Sequence, residues 1–522
     1  MTPSLSPATS GPSPTGTGPG ARADGVAPPA ALATGGTAPV APETAAPGTA
    51  APMPPAVPGG HAVPSAKAAF GFPLTVLGAA VLLGVVFGPR PVITGAGIAL
   101  EALFCAYFLR HLSFAATALR AAPEDVVVPP VDTGFRPSVS VLVACHNEEA
   151  VAGRLVGALL ALDYPRDRLE WFVVDDGSTD RTAAILDAAA PDQPGFHVVH
   201  RPPGAGGGKS GALNAALAHA TGEVVVVFDA DHRPRADVLL RLVRHFEDPQ
   251  VAAVQGRCQI ANLDDSPLAT LVGIDYMAGY FVNEYGRQAV SRLPAYGGAN
   301  CAVRASELRR LGGWNPHSVT EDTDLTLRLV LAGSRVRYDV TAVDDEEGVL
   351  TFDRYWSQRE RWARGHQQAW RDYRRAVWAS DRLTAGEKVE TTMFLFAFHL
   401  PVVSTFGLAL LLAWFAGYGP PTDPVALAVY STFLFLGPMV ELGAGLILAR
   451  ADRHLALSLV WFLPMFLISM AVCTWAWVQW AVGRSYSWAK TKRAGDPLQL
   501  AGGRVTVGAS ASAPAPGAEA PA

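Results

Sequence analysis

No C-x-x-C pair joins any two of the five cysteines, Cys105, Cys145, Cys258, Cys301 and Cys473. Their scatter argues against a structural zinc site or a disulfide framework and suits a reducing compartment. The N-terminus lacks the basic start and apolar core of a secretory signal. Aromatic side chains are absent before Phe70, where Pro, Ala, Gly, Thr and Ser dominate. Residues 1–66 therefore bury too little apolar surface to offset chain entropy and are expected to be disordered. Residues 485–522 begin basic and end in the same composition. Net charge is also scarce: -5 over 522 residues gives no reason to expect a nucleic-acid partner.

Apolar runs, by contrast, are abundant. A bilayer crossing needs roughly twenty apolar residues, and windows at 70–87, 92–108, 393–416, 425–448 and 455–482 qualify. They predict a multi-pass cell-membrane protein. Two transmembrane helices fall within 67–120, a soluble domain at 121–380, and about three spanning or interfacial helices within 381–484. Arg110, Arg120, Arg371, Arg374, Arg375, Arg450 and Arg453 flank the windows and put the soluble domain in the cytosol. A fifth full crossing leaves Arg484, Lys490, Lys492 and Arg493 outside. Either one C-terminal window lies along the membrane, with Pro401 and Pro464 as breaks, or the rule fails here. Glu101 and Glu441 fall inside windows, where an ionisable residue either lines a polar path or is buried against another helix.

The soluble stretch alternates strand and helix signals: a strand over 138–144, a helix over 149–162, then "LEWFVVDDGSTD" and a second helix with Ser178 or Thr179 as N-cap. "FHVVH" and "EVVVVFDAD" are further strands, with a helix over 210–220 between them. This order predicts an α/β domain with a mostly parallel sheet. His146, Glu148, Asp175, Asp176, Asp229 and Asp231 then gather beyond the carboxyl ends of the strands, where such sheets bind ligands. Asp229 and Asp231 alternate on an extended segment and point the same way. They either hold a divalent cation or open a polar loop after a core strand.

Three further segments carry candidate chemistry. "GAGGGKSGALN" ends like a phosphate-binding loop, but Pro203 stands where its first glycine belongs, which disfavours a nucleotide hydrolase. Lys209, at the start of the helix, either meets a nucleotide's phosphates or base or is solvated. Glu321 and Asp322 precede a helix over 324–331, so they serve the helix dipole or supply a general base. Gln358, Arg361 and Trp362 are spaced i, i+3, i+4 and share one helix face. An amide, a guanidinium and an indole together suit a sugar and a phosphate, or an interfacial anchor.

"DDGS", "GGKSGALN", "DAD", "TED" and "QRERW", in that order between membrane windows, resemble the processive family-2 glycosyltransferases such as poly-N-acetylglucosamine, cellulose, chitin and hyaluronan synthases. The resemblance spans about residues 137–370. It implies a GT-A fold inserted between transmembrane helices, and transfer from a UDP-sugar with inversion at the anomeric carbon. It implies Mg²⁺ or Mn²⁺ on Asp229 and Asp231, which stabilises the departing diphosphate. By the same resemblance, His146, Glu148, Asp175, Asp176 and Lys209 bind the uridine side. Asp322, beside Glu321, is the catalytic base; Gln358, Arg361 and Trp362 close the site over a growing polysaccharide. UDP-N-acetylglucosamine ranks first as donor and UDP-glucose second. A small accessory membrane subunit is compatible with this reading. Two alternatives stay open: a non-processive transferase adding one sugar to a lipid or protein acceptor, and an inactive scaffold in an export complex.

Overall fold

The computed structural model describes residues 82–83, 85–125, 133–190, 193–418, 424–482 and 484. The tails at 1–66 and 485–522, and most of the window at 70–87, lie outside the described residues.

Eight strands form one sheet: β1 Val139–Cys145, β2 Leu169–Asp176, β3 Phe196–Arg201, β4 Val224–Asp229, β5 Arg233–Pro234, β6 Val251–Ile260, β7 Cys301–Arg304 and β8 Arg335–Glu346. Their order is β3-β2-β1-β4-β7-β6-β8-β5. From Val224 to Phe228 every side chain of β4 is buried, and successive residues alternate between two cores. Each such side chain contributes about 1.5–3 kcal/mol, which is why this apolar run becomes a central strand. One core takes Leu213 and Leu217 of α4, Gly208–Leu217. The other takes Leu155 and Leu159 of α2, Ala152–Leu160.

The first four strands pair in parallel, as expected: β1 lies between β2 and β4, and β3 pairs with β2. Cys145 stands opposite Asp175 and Ala144 opposite Asp229. This register brings the ends of β1, β2 and β4 to one level. Beyond β4 the sheet is mixed, because the four-residue β7 runs antiparallel to both β4 and β6. A strand that short carries too little periodicity to be read locally.

Helix boundaries differ from expectation: the helices over 149–162 and 210–220 run Ala152–Leu160 and Gly208–Leu217. The helix α3, Thr182–Ala189, is capped by neither Ser178 nor Thr179. Instead Ser178 Oγ accepts from Asn147 N at 2.9 Å, and Thr179 N donates to Asn147 Oδ1 at 2.7 Å. The helix expected over 324–331 begins at Glu321, which places both acids in its first turn.

The flanking helices are α1 (Pro89–Asp125), α5 (Pro267–Ala278), α6 (Glu321–Leu331), α7 (Phe352–Ala379), α8 (Ala385–Phe396), α9 (Leu400–Ala413), α10 (Pro424–Leu448) and α11 (Phe462–Ala481). Among the described residues three helical stretches are long and apolar enough to cross a membrane: Pro89–Ala121, Leu400–Tyr418 and Arg453–Ala481. Pro401 stands in the first turn of α9 and marks its start, whereas Pro464 follows the helical turn Ser458–Trp461 inside the stretch Arg453–Ala481. The window at 393–416 is divided between α8 and α9 accordingly. Arg110 of α1 grips Glu390 of α8 with two hydrogen bonds, 2.9 and 2.7 Å long. Glu441 is buried, 2.5 Å from His111 Nδ1, and accepts from Asn283 Nδ2 at 2.9 Å. Of the two readings for this acid, burial against a neighbouring helix is the one observed.

Candidate active site

A cavity of about 690 Å³ opens where β1, β2 and β4 end. His146, Glu148, Asp176, Lys209, Asp229 and Asp231 line it together with Glu321, Asp322, Gln358, Arg361 and Trp362. Residues from distant points of the sequence meet here because the strand register and α6 converge on one edge.

At the β1 end, Asn147 takes a left-handed backbone (φ 54) that turns the chain sharply after the strand. The His146 ring holds Asp176 O at 2.7 Å through Nδ1. The Asp176 carboxylate pairs with Arg201 Nη1 at 2.5 Å, and Arg201 Nη2 donates to Gly206 O at 2.6 Å. One arginine thus ties the acid to the glycine loop, where Gly206 and Gly207 both have positive φ. Asp175 does not line the cavity. Its carboxylate is buried beneath, accepting from Ser178 N at 3.1 Å and lying 3.2 Å from His200 Nδ1. It shapes the acidic turn instead of facing the space above.

Lys209 lies elsewhere than expected. Its ammonium is 2.6 Å from Asp229 Oδ1 and 3.3 Å from Glu321 Oε1, and it donates to Gly298 O at 2.9 Å. Burial works against its charge, but Asp229 and Glu321 outweigh it and raise its pKa. The lysine is therefore paired with acids of the cavity wall. Its ammonium balances part of the negative charge that these carboxylates bring to the cavity.

Asp322 is held by the first turn of α6, where Thr323 N donates to its Oδ1 at 2.6 Å. Burial pushes its pKa up to about 6, and the neighbouring Glu321 charge adds to this, against the opposing pull of Thr323 N–H, Lys209 and Arg361. A carboxylate with that value is poised to accept a proton near neutral pH. The helix behind it is anchored through Asp324, which accepts from Tyr373 Oη at 2.6 Å and Arg328 Nε at 2.7 Å. Tyr373 lies on α7, so the helix carrying Gln358, Arg361 and Trp362 is tied to the one carrying Asp322.

Gly365 sets how closely these two helices approach. A Cβ there would collide with the Thr320 side chain, immediately before Glu321. Gly365→Ala is expected to push α7 from the cavity and lower transfer about tenfold, with the protein still folded. Unchanged turnover of purified protein with a normal elution profile would remove this contact from the account. The magnitude corresponds to about 1.4 kcal/mol, the lower part of the overpacking range.

Arg359 and His232 also line the cavity, although no motif singled them out. Arg359 lies under Trp362, 4.6 Å from its ring, and pairs with Asp275 at 2.6 Å. Gln358 is buried, and its Oε1 has no hydrogen-bond partner among the described residues, so it is an available acceptor. His232 follows the acid pair directly, with its Nδ1 on buried Asp344 and its Nε2 3.3 Å from Glu346. The acid run that ends β8, "VDDEE", resembles those ending β2 and β4 and was the available signal for Glu346.

The fold and this acid-lined cavity define a glycosyltransferase of the GT-A class. Residues 140–299 match the model of Glycosyl transferase family 2, and residues 224–488 that of Glycosyl transferase family group 2. The chain belongs to the family-2 glycosyltransferases. It is 42% identical over 265 residues to a beta-monoglucosyldiacylglycerol synthase of Synechocystis, covering 50% of this chain and 54% of that one. It is 28% identical over 240 residues to a poly-beta-1,6-N-acetyl-D-glucosamine synthase of Staphylococcus epidermidis, covering 45% and 56%. The chain thus spans about half the length of these curated relatives. Among solved structures, a mannosyltransferase from Pyrobaculum calidifontis in complex with GDP-Man and Mn²⁺ matches with a TM-score of 0.51 at 25% identity, covering 73% of this chain and 99% of that one.

Proposed function

We propose that the protein is a membrane glycosyltransferase that moves one sugar, glucose before N-acetylglucosamine, from a UDP-sugar to a diacylglycerol, with inversion to a β-linkage. The observation that carries this reading is the composition of the cavity wall. Alongside the acids it includes Phe398, Pro401, Ser469 and Cys473 from the apolar helical segment, so an acceptor can reach Asp322 from the lipid side. The glycolipid-forming relative supports the same acceptor.

Asp229 and Asp231 are hard oxygen donors at one strand end, a set that fits Mg²⁺ or Mn²⁺. Bound there, the ion would offset the charge that develops on the departing diphosphate. Lys209 releases Asp229 as donor enters and turns its ammonium to the same phosphates. Arg361 supplies a second cation, while His146, Glu148 and Asp176 hold the uridine side. Gln358 Oε1 accepts from a sugar hydroxyl, and Trp362, backed by Arg359, offers its ring to the acceptor. The acceptor hydroxyl oxygen bonds to the anomeric carbon as the carbon–oxygen bond to diphosphate breaks. Asp322 takes the proton, and UDP leaves with the electron pair. The catalytic domain lies in the cytosol, as the flanking arginines require.

The base role predicts an acid limb in the rate. Transfer should fall as pH drops through about 6, because Asp322 gains a proton and can no longer accept one. A kcat/KM flat from pH 8 to 5 in a folded sample would sink that role.

Processive polymerisation, implied by the resemblance that includes the QRERW motif, keeps one observation in its favour: Gln358, Arg361 and Trp362 all line the cavity. The deciding experiment supplies radiolabelled UDP-sugars to purified protein in bilayers containing diacylglycerol, with an EDTA control. A single-sugar lipid product supports the proposal, and high-molecular-weight glycan would replace it with the polymerase.

A further inference from the structure

A second cavity, of about 520 Å³, lies beside the first. Leu271 of α5, Met439 and Leu442 of α10, and Leu463 and Met465 of α11 make its walls hydrocarbon. Asp275, Arg359 and Ser469 line this cavity and the catalytic one alike, so these polar side chains stand where the two spaces adjoin. There Arg359 Nη2 donates to Asp275 Oδ2 at 2.6 Å, while Arg359 Nε is buried with no hydrogen-bond partner among the described residues. An ion pair at the mouth of a hydrocarbon space suits a molecule that is polar at one end and apolar along its length.

We propose that this cavity holds an acyl chain of the acceptor, with the glycerol at Arg359 and Asp275 and its free hydroxyl turned toward Asp322. The inference rests on the lipid-acceptor reading above and adds where the chain lies. The lining argues against a glycan in the same space. Sugar hydroxyls there would give up their hydrogen bonds to water without replacement, at a cost of about 1–3 kcal/mol each by mutational measures. An acyl chain gives up none. The shared polar side chains then set the orientation, because they place the polar groups at the end nearest the catalytic cavity.

The test uses the full chain in bilayers with a diacylglycerol bearing a photoactivatable diazirine near the end of one acyl chain. Peptide mass spectrometry after illumination is expected to find adducts on the buried Leu271 or Leu442, competed away by unlabelled dioleoylglycerol. Adducts confined to the exposed Leu463, Leu467 and Trp475, or no competed adduct, would overturn the proposal. As a second measurement, Leu463→Trp partly fills the cavity. It is expected to raise the KM for diacylglycerol about tenfold while leaving the KM for the sugar donor unchanged; equal acceptor KM values overturn the proposal. If the wild type transfers no sugar to diacylglycerol, the lipid-acceptor reading fails on its own, and the crosslink still decides what occupies the cavity.

Discussion

Asp322→Asn is expected to lower kcat by about 10²–10⁴-fold, the usual contribution of a positioned general base, while the Kd for UDP stays near its wild-type value. The amide keeps the shape of the side chain and the hydrogen bond from Thr323 N, but it cannot take a proton. Stability should move the other way. In the folded protein the Asp322 pKa is raised from 3.8 to about 6, so ionisation is disfavoured by folding. The penalty is fully present above pH 6 and disappears as pH falls toward 3.8. Asn carries no such penalty, so the variant should melt above wild type at pH 8 and converge with it only below about pH 3.8. Turnover close to wild type would transfer the base role to another group, with Glu321 the first to test.

The second large effect is expected at Asp231. It is buried at the end of β4 and lines the cavity, whereas Asp229 is already engaged by Lys209. Asp231→Asn removes a hard anionic ligand, and several kcal/mol of leaving-group stabilisation depend on the ion it would hold. At tenfold per 1.4 kcal/mol, turnover should fall by at least about a hundredfold. The Mn²⁺ concentration giving half-maximal activity should rise, and EDTA should abolish the remaining activity. Asp175→Asn is the control. That side chain is buried under the acidic turn with Ser178 and His200, so it should leave the metal dependence unaltered. An unchanged Mn²⁺ titration in the Asp231 variant would remove this residue from the ligand set.

The difference between Asp175 and Asp176 shows what was legible. Both acids end a buried strand, and alternation alone says that they point to opposite sides. Which side faces a ligand depends on how the sheet is covered, and that is settled by α4 on one face and α2 on the other. Lys209 shows the same limit for charge. A lysine at a helix start beside a glycine loop can meet a phosphate or an acid. Only the position of Asp229 and Glu321, held by β4 and α6, selects the acid.

Sequence alone determined the parallel half of the sheet and eleven of the residues that line the cavity, while the enzyme class rested on the resemblance carried by its ordered motifs. The parallel strands and the acids beside them follow from local patterns: apolar runs that must be buried, and acids placed where those runs stop. Tertiary structure decided the antiparallel insertion of β7, the pairing of Lys209 with Asp229, the seat of Arg359 under Trp362, and the hydrocarbon cavity beside the site. Each depends on residues far apart in the chain meeting in space. The energies that select such meetings, from burial, ion pairing and steric exclusion at Gly365, act between elements and leave no periodic trace along any one of them.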